Sequence, residues 1–159
     1  MAHQREGKAS TTASTFKKVT TVSTDISASP GRIWELLTNA ADFPRWNSTV
    51  TEISGTVAPG ARLAIRVPIS PRTFNVTVQT FDAARRLVWA DGAAPMFRGV
   101  REFTLEPISD GTRFTMTETF SGVLLPLINK SLPDFDPVFT TYAADLKREA
   151  ERSDSTPLR

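Results

Sequence analysis

The sequence predicts an α+β domain in which an antiparallel sheet curls around a long C-terminal helix, with two short helices after the first strand. Across residues 49–122 the apolar side chains recur with period two, which is typical of antiparallel strands with one buried face. Across residues 135–150 they recur at helical spacings, which predicts an amphipathic helix. The length of 159 residues suits one such domain.

The two ends of the chain are polar and lack apolar periodicity. We therefore expect residues 1–15 and 153–159 to be disordered tails around a single domain at residues 16–152. The chain has no cysteine, and its one histidine, His3, lies in the first of these tails. This composition excludes disulfides, thiol nucleophiles, cysteine-ligated zinc and metal sites that need two imidazoles. We expect neither a metal nor a cofactor.

Charge and hydropathy restrict the partners. Lys and Arg number 19 against 17 Asp and Glu, and part of the excess is near the N-terminus, so we expect no nucleic-acid partner. The opening MAHQREGKASTTAST lacks the apolar region of a signal peptide, and no run of about 18 apolar residues predicts a membrane span. Because cysteine is absent, a reducing cytoplasm is the expected location.

The N-terminal elements have local signals. Residues 16–27 are dense in valine and threonine, which predicts the first strand. Ser29 and Pro30 then predict a helix start, because the serine hydroxyl accepts an orphan amide and proline has no amide to leave unsatisfied. Residues 39–47 predict a second short helix or turn, which needs its Phe and Trp to pack down in order to be stable.

Turn signals divide residues 49–122 into about six strands with one apolar face. The predicted inward rows are Leu63, Ile65 and Val67; Phe74, Val76 and Val78; Leu87 and Trp89; Phe97, Gly99, Arg101, Phe103 and Leu105; and Phe114, Met116, Glu118 and Phe120. The last helix, capped by Asp134 or Asp136, carries the large apolar stripe that can cover this face.

Several short motifs follow one another along the chain in the same order as those of a known superfamily, and resemble them. Residues 29–38 (SPGRIWELLT) followed by residues 43–47 (FPRWN) are similar to the opening of the START-like, SRPBCC or polyketide cyclase/dehydrase superfamily. Residues 103–107, 110–113 and 118–122 resemble its penultimate hairpin, so the likeness covers roughly residues 17–152.

This resemblance implies a helix-grip fold, in which a seven-stranded antiparallel sheet holds the C-terminal helix and leaves a deep cavity between them. Members of the superfamily bind or transfer lipids, sterols, polyketides and plant hormones, and a minority catalyse cyclisation or dehydration. The fold by itself does not decide between these functions.

Arg101 and Glu118 are the main candidates for chemistry, because each lies in an otherwise apolar inward row. A two-residue turn at Asp110-Gly111 places Glu118 diagonally across from Arg101, and a turn of another length makes them direct partners. Either charge alone is costly to bury, so they predict a hydrogen-bonded pair. The pair could be structural, could anchor a ligand carboxylate, carbonyl or phenolate, or could supply Glu118 as a general acid or base.

Tyr142 lies on the inner face of the last helix, where its phenol needs a partner in the core or in a ligand. It is the second catalytic candidate beside Glu118. The other predicted ligand-binding residues are the apolar members of the inward rows and of the last helix: Leu63, Ile65, Phe74, Val76, Val78, Trp89, Phe97, Phe103, Met116, Phe120, Phe135 and Phe139.

Loop-like segments carry more apolar bulk than a protein surface usually tolerates. Their apolar residues are Met96, Phe97, Leu124, Leu125, Leu127 and Ile128. They predict either a lid over a cavity entrance or a homodimer face.

The leading functional hypothesis is the binding or transport of a small hydrophobic or lipid-like molecule in an internal cavity, without a cofactor. The alternative is a polyketide cyclase/aromatase or dehydratase, a metal-free lyase or isomerase that uses acid and base groups of the cavity. A third hypothesis is a protein-interaction module that docks through the apolar lid segment.

Overall fold

A computed structural model describes residues 6–154 of the chain. The strands are β1 (Ser10–Ser14), β2 (Lys17–Ile26), β3 (Glu52–Ser54), β4 (Arg62–Val67), β5 (Ser70–Asp82), β6 (Arg86–Ala93), β7 (Phe97–Ile108) and β8 (Gly111–Ser121). The helices are α1 (Pro30–Thr38), α2 (Phe43–Trp46), α3 (Leu125–Ile128) and α4 (Phe135–Asp154), with 3-10 turns at Ala40–Asp42 and Asn129–Ser131.

The strands form one antiparallel sheet in the order β1-β2-β8-β7-β6-β5-β4-β3, and α4 packs against its concave face. The predicted α+β architecture around a C-terminal helix is confirmed. The sheet has eight strands rather than seven, because an additional strand lies at its N-terminal edge. No helix within residues 6–154 combines the length and the hydropathy needed to cross a bilayer.

The extra strand β1 falls in the segment expected to be a disordered tail. It pairs with β2, and the Thr11 hydroxyl hydrogen-bonds to Thr20 at 2.8 Å and donates to the carboxylate of Asp136 on α4. The backbone N–H of Ala9 also donates to the hydroxyl of Thr140 at 3.1 Å. These polar contacts with α4 order a segment that has no apolar periodicity. The rest of that predicted tail at residues 1–5, and residues 155–159 of the other, lie outside the described residues.

The two short helices begin and pack as their sequences predict. The Ser29 hydroxyl accepts the backbone N–H of Arg32 at 3.2 Å, and Pro30 occupies the first turn of α1. In α2 the side chains of Phe43 and Trp46 are both buried, with ring centroids 5.2 Å apart. Burial of these two rings stabilises a helix too short to be stable alone.

Side-chain hydrogen bonds fix helix α4 at its start and near its middle. The Asp134 carboxylate accepts the backbone N–H of Asp136 at 3.1 Å, which is the expected cap. Asp145 accepts hydrogen bonds from both the backbone N–H and the hydroxyl of Ser48, at 2.8 and 2.7 Å. The helix ends at Asp154, two residues inside the segment expected to be a tail.

The hairpin between β7 and β8 sets the register of the candidate site. Ile108 pairs with Gly111, so the two-residue loop is Ser109-Asp110 and not Asp110-Gly111. This one-residue difference makes Arg101 and Glu118 direct cross-strand partners on one face of the sheet.

Gly111 has a backbone conformation and a close neighbour that do not allow a side chain at this position. Its φ is +148°, and a β-carbon there would lie 2.1 Å from the carbonyl oxygen of Ile26. We expect Gly111→Ala to lower the free energy of unfolding by about 3 kcal/mol, since it combines backbone strain with a clash. Gly60 is the matched control, because its φ is +75° and nothing lies within 4 Å of an added β-carbon. Urea unfolding of both variants measures the difference, and equal losses would contradict this explanation.

Candidate functional site

A cavity of about 130 Å³ lies between the concave face of the sheet and the N-terminal half of α4. Its walls come from β4 to β8, from the segment around α3 and from the first turns of α4. The lining residues are Thr49, Ile65, Val67, Ile69, Ser70, Arg72, Phe74, Val76, Trp89, Asp91, Phe97, Gly99, Arg101, Glu118, Phe120, Ile128, Leu132, Pro133, Phe135 and Val138. The cavity reaches the surface, because some of these residues, among them Ile69 and Arg72, are exposed.

Aromatic packing closes the inner end of the concave face. The ring of Tyr142 on α4 stacks on Phe114 at a centroid distance of 6.4 Å and lies 6.1 Å from Phe103. Phe103 also meets Trp89 edge-on at 5.0 Å. This cluster fills the space under the middle of α4, and the cavity lies beside the first turns of the helix, at Phe135 and Val138.

The mouth of the cavity lies beside the apolar segments for which the sequence predicts a lid or a dimer face. Phe97 stacks on Phe120 at 5.8 Å, and Phe120 packs against Phe135 at 5.5 Å. The neighbouring loops and α3 expose three large apolar side chains, those of Met96, Val123 and Leu127. The lid and the homodimer both stay predictions.

Arg101 and Glu118 are the charged residues in the interior wall of the cavity. Nε of Arg101 donates to Oε2 of Glu118 at 3.4 Å, and the two side chains are 20% and 14% exposed. The guanidinium of Arg101 lies over the ring of Phe139, with its carbon 5.0 Å from the ring centroid. The arginine is thus held between a carboxylate and an aromatic face on α4.

Burial changes the acidity of both catalytic candidates. It raises the pKa of Glu118 above its ordinary value of 4.5, and the charge and hydrogen bond of Arg101 oppose part of that rise. Burial likewise raises the pKa of Tyr142, against smaller opposing effects of Arg101 and of the nearby Asn47 side chain. The raised pKa keeps Tyr142 a neutral phenol at neutral pH, and within residues 6–154 its buried hydroxyl makes no hydrogen bond of normal geometry.

No set of three or more His, Cys, Asp or Glu side chains within residues 6–154 is placed to hold a metal ion. What the cavity offers chemically is a guanidinium donor, a carboxyl group with a raised pKa and an otherwise mostly apolar wall. This combination can orient one polar group of an apolar molecule and can move a proton at one carboxyl oxygen.

The family profile described as polyketide cyclase/dehydrase and lipid transport matches residues 17–151. The chain belongs to this family. The START-like resemblance in the sequence is therefore confirmed, and a hydrophobic ligand-binding or cyclase/dehydrase fold is what the family supports. No curated protein sequence matches the chain significantly.

Solved structures share the fold at low sequence identity. A protein of Mesorhizobium loti has a TM-score of 0.67 at 21% identity, over 88% of this chain and 99% of its own. A conserved protein of unknown function from Enterococcus faecalis has a TM-score of 0.65 at 17% identity, over 94% and 81%. A norcoclaurine synthase point mutant of Thalictrum flavum, in complex with a transition-state analogue, has 0.67 at 13%, over 91% and 100%. At these identities the likeness shows the fold alone.

The structure brings together nine of the fifteen residues that the sequence predicts to bind ligand. The nine that line the cavity are Ile65, Phe74, Val76, Trp89, Phe97, Arg101, Glu118, Phe120 and Phe135. The six that do not line it are Leu63, Val78, Phe103, Met116, Phe139 and Tyr142, all of them buried in the core. Tyr142 is enclosed by other rings, so the cavity places only Glu118 of the two catalytic candidates at its surface.

Several lining residues were missed by the sequence analysis as site residues. Arg72 shares the phase of Phe74 and Val76 along β5, and Asp91 shares that of Trp89 along β6, so period-two alternation could have found both. Thr49 lies in a loop and has no comparable signal.

The raised pKa of Glu118 predicts a pH dependence of stability. Above pH 4.5 the unfolded chain releases a proton that folded Glu118 still holds, so the wild type loses stability as the pH rises from 4.5 towards the raised pKa. Glu118→Gln cannot titrate. The variant's free energy of unfolding minus that of the wild type should therefore increase with pH in that window. Urea unfolding from about pH 4 to about pH 8 measures this difference, and a constant value would contradict the assignment.

Proposed function

We propose that this domain binds a small hydrophobic or lipid-like molecule in the cavity between its sheet and α4. The observation that carries the proposal is the cavity itself, because a sheet and helix with a fully packed interface would have no room for a guest. Its wall is mainly apolar, with aromatic rings at Phe74, Trp89 and Phe120. Burial of apolar ligand surface there contributes about 25 cal/mol per Å².

The size of the cavity restricts the ligand. Its volume of about 130 Å³ is below the roughly 300–1,000 Å³ typical of small-molecule sites. A ligand with a single ring or two fused rings, or one with an alkyl chain that extends through the mouth of the cavity, is therefore favoured over a bulky sterol. Arg101 and Glu118 are the polar groups that orient it.

A second candidate function rests on Glu118 in particular. A buried carboxyl group with a raised pKa in a cavity wall is suited to general acid or base catalysis. In a dehydratase reaction, ionised Glu118 would remove a proton from a substrate carbon and then deliver it to the leaving hydroxyl, which departs as water, while the cavity holds the reactive chain folded. Glu118→Gln should lower such turnover by about 10²-fold or more while substrate binding persists.

The cytoplasmic location stays a prediction from the sequence.

Filling the cavity tests the binding proposal. Val76→Trp adds bulk inside the cavity wall, and Val19→Trp adds the same bulk on the opposite face of the sheet, between Thr12 and Thr119. We expect Val76→Trp to weaken binding of the neutral probe 2-naphthalenemethanol by at least about tenfold, or about 1.4 kcal/mol. Val19→Trp should leave this affinity unchanged.

Fluorescence titration of the probe measures both affinities, and circular dichroism checks that the two variants are folded. Equal affinity in Val76→Trp and the wild type would show that the probe binds elsewhere, and the proposed cavity site would then be abandoned.

A further inference from the structure

Neighbouring strands place four side chains in one row across the concave face. Cross-strand pairing joins Thr20 to Glu118, Glu118 to Arg101, and Arg101 to Trp89. The last three of these residues line the cavity. The row therefore presents one carboxyl acceptor beside two groups with N–H donors.

The ion pair in this row is loose. Its single contact of 3.4 Å is longer than the usual N–H···O distance of about 2.9–3.0 Å. Elsewhere in the same sheet, Arg113 donates through two nitrogens to both carboxylate oxygens of Asp25, at 2.9 and 3.2 Å. A close bidentate pair is thus compatible with this sheet, and Arg101 does not form one with Glu118.

Within residues 6–154, two nitrogen atoms of the Arg101 guanidinium have no hydrogen bond to the protein. In the described part of the chain, neither Nη1 nor Nη2 of Arg101 donates to a protein acceptor, and the buried Nε1 of Trp89 is also without one. The ring of Phe139 supports the guanidinium at 5.0 Å. A supported planar guanidinium with its Nη groups unused is suited to bidentate recognition of a carboxylate.

The charges of Arg101 and Glu118 determine which change of protonation must accompany the binding of an anion. The elements around Glu118 carry several charged or titratable groups on the side of the cavity, among them Lys18 on β2, Arg72 on β5, Asp91 on β6, Arg101 on β7, and Asp136 and Tyr142 on α4. Of these, Arg101 acts on Glu118 directly. A second carboxylate at Arg101 would leave two negative charges beside one positive charge in a buried site, which is costly. Protonation of Glu118 removes that cost.

We propose that the cavity takes a hydrophobic monocarboxylate, whose carboxylate replaces Glu118 as the counter-ion of Arg101 while Glu118 takes up one proton from solvent. This inference rests on the proposed function and names the ligand class. Protonated Glu118 then donates its own O–H, so no charge is left unpaired. A neutral alcohol would leave the original pair intact, and an ammonium group would be repelled by Arg101.

Three ligands with the same apolar body test the inference: 2-naphthoic acid, 2-naphthalenemethanol and 2-naphthalenemethylamine. Isothermal titration calorimetry with the full chain should rank the acid tightest and the amine weakest. Above the pKa of Glu118, the acid's Kd should rise by up to about tenfold per pH unit, while that of the alcohol stays constant. Titrations in buffers of different ionisation enthalpy should show proton uptake with the acid only.

Variants separate the two charges. In Glu118→Gln, the proton uptake and the pH dependence should disappear while the acid still binds. In the double variant Arg101→Gln with Glu118→Gln, the acid's affinity should fall by about tenfold to hundredfold relative to Glu118→Gln alone. Arg98→Gln is the matched control, because Arg98 lies on the outer face of β7 and donates to Gln79. It should leave the acid's affinity unchanged.

Circular dichroism establishes that each variant is folded before it is titrated. If the alcohol binds but the acid binds no better, if the amine binds tightest, or if the pH dependence survives in Glu118→Gln, the carboxylate inference is overturned and the cavity function stands. If none of the three ligands binds, the proposed function fails, and the inference fails with it.

Discussion

The contact between α4 and the concave face of the sheet is the constraint on which the rest of the structure depends. An antiparallel sheet with one apolar face must cover that face, and α4 supplies the apolar surface to do so. Around the middle of α4, the ring of Tyr142 lies 6.1 Å from that of Phe103, and the side chains of Tyr142 and Leu146 are fully buried. Beside the first turns of α4, the wall of the sheet includes Gly99, which has no side chain to fill the space, and the cavity lies there.

Gly99 affects where the ring of Phe120 lies in the cavity wall. A β-carbon at this position would lie 3.2 Å from the ring of Phe120, so its absence lets Phe120 settle against Phe97. The ring then forms part of the cavity wall and the remaining space stays open. A small residue in one strand thus determines where an aromatic residue of the next strand lies.

Placing Arg101 and Glu118 in this wall is not an efficient way to stabilise the fold. Desolvation of a buried ion pair offsets much of its attraction, and apolar residues of similar volume would serve at least as well. The proposed binding of a ligand gives this pair a role other than stabilising the fold. The chain shares its fold with norcoclaurine synthase at 13% identity, and a shared fold does not decide function.

The sequence was sufficient to predict the helices and strands that depend on neighbouring residues. The Ser29-Pro30 start of α1, the period-two rows and the amphipathic pattern of α4 were all found where the sequence predicts them, because each depends on residues a few positions apart. The sequence did not predict strand β1, because this strand is ordered by hydrogen bonds to β2 and to α4, and local residue patterns do not reveal such contacts.

The candidate site shows the same division. Alternation of side chains predicted that Arg101 and Glu118 face inward, since orientation along a strand follows from the strand's own phase. Whether they meet directly depended on a single residue in the loop between β7 and β8, and whether a space remains beside them depended on how rings from four strands and α4 pack together. Side-chain orientation is a local property, whereas register and packing volume belong to the assembled chain, so only the tertiary structure could decide them.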